Sequence, residues 1–76
     1  MSKASDILAA LGGSDNLIVI EPCTTRLRTE VENPALVDEV ALRHAGAHGV
    51  IAAGQVVQVV VGLDAETLSD QISGLR

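Results

Sequence analysis

Hydrophobic and polar positions along the chain change period several times, and each change marks an element. Ile7, Leu8 and Leu11 recur at helical spacing behind Ser2 and Ser5, either of which can cap a helix, and Gly12-Gly13 stops it. Ser14-Asp15-Asn16 reads as a turn, and Leu17-Ile18-Val19-Ile20 as a short β-branched strand that Pro22 ends. From Arg26 to Val31 the period is 2: Leu27, Thr29 and Val31 face one way, and Arg26, Arg28 and Glu30 the other. The link between the two strands is too short for a crossover, so they pair antiparallel.

The second half repeats the alternation of types. Asn33-Pro34 is a helix start, and Leu36, Val37, Val40, Ala41 and His44 continue at helical spacing to a stop at Gly46. Gly49 to Ala53 and Val56 to Val61 are two strands joined at Gly54-Gln55. Asp64 is placed to cap a last helix with the stripe Leu68, Ile72 and Leu75, and Leu63 with Leu68 has the spacing of a hydrophobic staple. The order is α-β-β-α-β-β-α. This predicts an α+β fold: a two-layer α/β sandwich with a four-stranded, mostly antiparallel sheet and three helices on one face.

Composition narrows the picture. The chain has 76 residues, enough for one domain spanning 1–76, and 47% of them are hydrophobic. It contains no Phe, Tyr or Trp, so the core is aliphatic and a base-stacking platform is excluded. A net charge of −5 also speaks against a nucleic-acid partner. No apolar run is long enough to span a bilayer and the N-terminus lacks a signal pattern, so a cytoplasmic domain is expected, with a natural start at Met1. One cysteine rules out an internal disulfide and a Cys-rich zinc site. His44 and His48 are interrupted by Gly46 and have no third ligand in view, so no metal or cofactor is expected. The acidic residues read as solvated surface.

The candidate chemistry lies in Cys23-Thr24-Thr25-Arg26-Leu27-Arg28, which holds the lone thiol and two of the five basic side chains. The thiolate is the reactive form of cysteine, and nearby cations and backbone N–H groups favour it. Guanidinium forks suit phosphate, and a tight turn can aim successive N–H groups into an anion-binding nest, to which Thr24 and Thr25 would add hydroxyl donors. A free cysteine is usually buried and inert, and, set against that, the exposed, cation-rich spacing here leaves both readings open.

Asn16-Leu17, Cys23-x-Thr25-Arg26-Leu27-Arg28 and Val31 resemble the phosphorylation-site signature of the glucose-type enzyme IIB domains of the bacterial sugar phosphotransferase system. Gly46-Ala47-His48-Gly49-Val50 and Gly54…Val57-Gln58-Val59-Val60-Val61-Gly62 continue the similarity, which covers most of the chain from Asn16 onward. The resemblance implies that Cys23 takes a phosphoryl group from a phosphohistidine on a IIA domain. It would then pass the group to a sugar, N-acetylglucosamine or glucose, held by the membrane IIC transporter at the inner face of the membrane. Arg26 and Arg28 match the family's paired arginines, and Thr25 its loop threonine. Pro22 and Thr29 depart from the common pattern of a small residue and an aliphatic one, which puts loop geometry and strand packing in question. Gln58 is assigned no catalytic role. Two other functions stay open on the residues: a redox-sensing thiol, and a non-enzymatic anion-binding regulatory module.

Overall fold

The computed structural model describes residues 2–76; the expected natural start at Met1 lies outside them. Seven regular elements follow the expected order: α1 (Lys3–Ala10), β1 (Leu17–Cys23), β2 (Arg26–Val31), α2 (Glu39–His44), β3 (Gly49–Ala53), β4 (Val56–Val60) and α3 (Ala65–Leu75). Short 3₁₀ turns at Pro34–Leu36 and Gly62–Asp64 precede α2 and α3. The strands form one antiparallel sheet in the order β1-β2-β4-β3, so two hairpins are joined through β2 and β4.

The alternation in the two central strands decides what covers the sheet. Leu27, Thr29, Val31, Val57 and Val59 are buried on one face beneath Ile7 and Leu11 of α1 and its C-terminal cap, Leu42 of α2, and Leu68 and Ile72 of α3. Thr29 replaces an aliphatic side chain in this layer at no polar cost, because its Oγ1 donates to the Val57 carbonyl at 2.7 Å. The first helix is capped by Ser2, in a reciprocal capping box with Ser5.

Four local expectations change. β1 does not end before Pro22 but continues to Cys23. It is an edge strand, and the Cys23–Arg26 pair closes a two-residue hairpin, so the proline nitrogen points to the open side where no donor is needed. The single helix expected from Pro34 to His44 is two pieces. Asn33 caps the 3₁₀ turn through Ala35 N–H, and Asp38 separately caps α2 through Ala41 N–H. The Asp38 N–H bonds to the Ala10 carbonyl at 2.8 Å, which fixes the bend between the pieces. The bend leaves Leu36 and Val40 exposed and sends Leu42, absent from the expected apolar face, into the core.

At α3 the expected staple is absent: Leu63 is 93% exposed, and Asp64 makes no side-chain cap. Gly62, at φ +83°, turns the chain so that Ala65 and Leu68 reach the core instead. Asp64 faces Lys3 at 3.7 Å, and Leu75 is half exposed. The last strand stops at Val60, one residue early: the Val61 N–H still reaches its register partner, the Thr25 carbonyl, but the Gly62 N–H folds back onto the same carbonyl and Gly62 turns the chain out of the sheet.

Asn16, read as a turn residue, is buried and holds three segments together. Its Nδ2 donates to the carbonyls of Leu11 (2.7 Å) and Asn33 (3.1 Å), and its Oδ1 accepts from the Asn33 N–H (2.8 Å). The turn before it needs Gly12 at φ +104°, where a Cβ would lie 2.5 Å from Asn16 Nδ2.

Candidate functional site

Among the described residues no helix covers the other face of the sheet, and the strand register lays its side chains out as a grid. Following the strand order β1-β2-β4-β3, the row nearest the β1–β2 turn is Cys23, Arg26, Val60 and Gly49. The next is Glu21, Arg28, Gln58 and Ile51, and the third Val19, Glu30, Val56 and Ala53. Directly opposed residues on one face stand about 5 Å apart, and rows roughly 7 Å. Cys23 and Arg26 are thus immediate cross-strand neighbours, with Arg28 diagonal to the sulfur.

Cys23 is a free, exposed thiol, not a packed core residue. The two residues between it and Arg26 are a tight hairpin turn. Thr24 has φ +53°, the left-handed value that primed hairpin turns require and that a β-branched residue adopts only under strain. Surrounding bonds hold it there: the Thr25 carbonyl accepts both the Val61 and the Gly62 N–H at 2.9 Å, tying the turn to the end of β4. Among the described residues, neither Thr24 N–H nor Thr25 N–H has a protein acceptor, and both hydroxyls are uncommitted. Two backbone donors and two hydroxyls therefore remain free beside the sulfur. That is the composition of an anion nest.

The two arginines are held differently. Arg26 Nη1 donates to Gln58 Oε1 at 3.2 Å, reaching diagonally across β2 and β4. Arg28 Nη1 pairs with Glu21 at 3.1 Å and Glu30 at 3.3 Å. Sequence reasoning gave Gln58 no catalytic role and treated the carboxylates as surface. The signal for both lay in register: once β2 and β4 pair, the one polar residue of Val56–Val60 must stand beside the arginines. His44 ends α2 and His48 packs beside Gly62, and both are exposed. A shallow hollow between α1 and α2, lined by Asp6, Ala41, His44 and Ala45, lies on the helical side, away from the thiol.

Chemically, an exposed sulfur with free N–H donors and a guanidinium across the strand can attack an electrophilic centre and hold the anionic group it gains. No helix among the described residues is long and apolar enough to cross a membrane.

Comparison with known proteins agrees with this geometry. The phosphotransferase system EIIB family matches over residues 5–38, which includes the Cys23 turn and both arginines. A Streptomyces coelicolor protein, the phosphotransferase system N-acetylglucosamine-specific EIIB component, is 55% identical over 97% of this chain and 96% of its own length. The Bacillus subtilis N-acetylglucosamine-specific EIICB component is 46% identical over 87% of this chain, which spans 15% of that longer protein. A crystal structure titled as one domain of the phosphotransferase system IIabc component from Clostridium difficile shares the fold, with TM-score 0.74 over 95% of this chain and 73% of that one, at 22% identity. With its sheet, turn and thiol placed as described and a near full-length relative at 55% identity, this chain belongs to the EIIB family of the phosphotransferase system.

Proposed function

We propose that residues 1–76 act as a single EIIB phosphocarrier domain, with Cys23 taking a phosphoryl group from a phosphohistidine of a IIA domain and passing it to a sugar held by a membrane IIC transporter. The observation that carries this reading is the exposed Cys23 at a strained turn with uncommitted donors, directly across the ladder from Arg26. N-acetylglucosamine is the sugar that the 55% identical relative's name supports. Relatives in which the same domain is fused in EIICB and EIICBA chains support IIC and IIA as the partners. The domain would work in the cytoplasm, meeting IIC at the inner face of the membrane.

In the first transfer the Cys23 sulfur attacks phosphorus in line with the donor's P–N bond. The S–P bond forms as the P–N bond breaks, the electron pair stays on the imidazole, and the ring takes up the proton that the thiol releases. The Thr24 and Thr25 N–H groups and hydroxyls and the Arg26 guanidinium receive the equatorial oxygens, whose charge has to be stabilised throughout transfer. In the second transfer a sugar hydroxyl oxygen attacks phosphorus from the side opposite sulfur. The S–P bond breaks, its electron pair returns to Cys23, and the proton of the sugar hydroxyl is taken up by the released sulfur, which restores the thiol. Because IIC holds the sugar, this domain needs only an open face, and the sheet face bearing Cys23 is uncovered. The docking contacts should be small and transient, as a relay requires.

The test is incubation of the intact chain with a phosphorylated IIA protein, followed by mass spectrometry. One phosphoryl adduct on Cys23, absent in Cys23→Ser, is expected. Membranes carrying IIC should then release sugar phosphate when given N-acetylglucosamine. Absence of label on wild-type Cys23, with oxygen adducts after peroxide as its only modification, would refute the relay in favour of a redox thiol.

A further inference from the structure

The two arginines beside Cys23 have unlike neighbours, and the difference has a consequence for the phosphorylated state. Among the described residues, the Arg26 side chain donates to the neutral amide of Gln58 and forms no ion pair, whereas Arg28 bridges two carboxylates. Glu21 is the informative one. It stands directly across the ladder from Arg28 and two residues before Cys23 on the same strand face, roughly 7 Å from it along β1. From Arg28, the sulfur position is the diagonal neighbour, roughly 7–8 Å away between backbones, within the reach of a long side chain. Glu30 lies on the far side of Arg28 and anchors it without approaching Cys23.

Arg28 thus has two stations on this face. With a bare sulfur, the carboxylate straight across is the stronger anion. A phosphoryl group on sulfur carries a charge of about −1.5 to −2 and three acceptor oxygens, which a forked guanidinium matches better than a single carboxylate does. We propose that Glu21 is a positioning residue for Arg28: it competes with the phosphoryl group for this guanidinium, and so lowers the hold of the site on the phosphocysteine between the two transfers. This rests on Cys23 being the phosphoryl acceptor, and adds no chemical step to the relay. Glu21 never touches the transferred group. It acts by taking a cation away from that group and by placing a negative charge near it.

A double-mutant cycle on Glu21 and Arg28 separates competition for the arginine from simple repulsion. Cys23 of the intact chain is alkylated with iodoacetate, an anion, and with iodoacetamide, a neutral analogue, in wild type, Glu21→Gln, Arg28→Gln and the double variant. The ratio of the two rates cancels the ionised fraction of the thiol and reads only the attraction of an anion to the sulfur. Glu21→Gln should raise that ratio roughly 1.5–5-fold where Arg28 is present, the range that one exposed ion pair supports, and the gain should shrink in high salt. In the Arg28→Gln background the gain should be distinctly smaller. Equal gains in the two backgrounds, or no gain, overturn the proposal. As a second measurement, phosphocysteine formed from phosphorylated IIA should hydrolyse more slowly in Glu21→Gln than in wild type; an equal or shorter lifetime counts against the proposal. A wild-type chain that takes no label refutes the relay instead, and the alkylation ratios still decide the role of Glu21.

Discussion

Replacing Asn16 with alanine tests whether one buried amide holds the start of the strand that carries the thiol. The substitution removes the bonds to the Leu11 carbonyl, the Asn33 carbonyl and the Asn33 N–H, at 2.7, 3.1 and 2.8 Å. Asn33 is exposed, so water can replace its partners, and each of those bonds is worth only about 1 kcal/mol. Leu11 is fully buried, and its carbonyl accepts from no other group among the described residues. That orphaned acceptor adds a penalty of about 1–3 kcal/mol, for a total loss of about 3–5 kcal/mol. A chain of 76 residues has roughly 4–11 kcal/mol of stability in all. The midpoint of thermal unfolding should therefore fall by roughly 12–40 °C, at about 4–8 °C per kcal/mol.

The chain has no Trp, Tyr or Phe, so intrinsic fluorescence gives no signal, and far-UV circular dichroism with urea is the assay. The midpoint should drop with the slope unchanged. Asn16→Asp should cost at least as much at neutral pH, since it faces two carbonyls with an oxygen. Gly12→Ala should be strongly destabilising both alone and beside Asn16→Ala, because the Cβ at position 16, 2.8 Å from the added carbon, remains and φ +104° stays strained. A loss under about 1 kcal/mol for Asn16→Ala, or a milder effect for Asn16→Asp, would falsify the assignment. Phosphoryl uptake per folded molecule should be preserved, since Cys23 lies seven residues further along the chain, at the far end of β1, roughly 20 Å away.

Four further outcomes are expected. Thr24→Gly should stabilise the protein by about 0.5–1 kcal/mol in urea melts, because relieved left-handed strain outweighs the added chain entropy; a loss of stability would show that Thr24 is unstrained. Gln58→Leu should slow labelling of Cys23 by about 2–10-fold, as expected for one hydrogen bond holding Arg26, and should shift stability little. Leu63→Ala should leave stability within about 0.5 kcal/mol, because the side chain is 93% exposed; a larger loss would restore the staple. Arg26→Lys or Arg28→Lys should slow transfer to sugar about tenfold or more, and labelling by IIA less, since the fork is lost while the charge is kept. Equal, negligible effects on both steps would make the arginines surface residues of the strand.

Much of this protein is written in local pattern. Period 2 in Arg26–Val31 placed Leu27, Thr29 and Val31 on the buried face and Arg26 and Arg28 on the open one, because a strand's side chains alternate whatever it pairs with. Glycine stops, the Ser2 cap and the hairpin links needed only neighbouring residues. The Cys23 turn was legible for the same reason: thiol, threonines and arginines fall within six consecutive residues, and a two-residue link fixes their geometry.

Tertiary structure decided what rests on distant partners. Two Asx caps, Asn33 and Asp38, lie five residues apart, and local pattern cannot say that the chain bends between them; the Ala10 carbonyl, on another helix, does that. Proline is permitted inside β1 only because β1 is the edge of the sheet. Asn16 is a loop residue by type and a core residue by position, since its three partners come from segments that meet only on folding. The neighbours of the two arginines were settled in the same way. Gln58 and Glu21 come from two other strands, and only the register of β2 between them set an amide beside one guanidinium and a carboxylate beside the other. Alternation assigns a face from one strand alone, whereas a neighbour on that face needs two strands in fixed register.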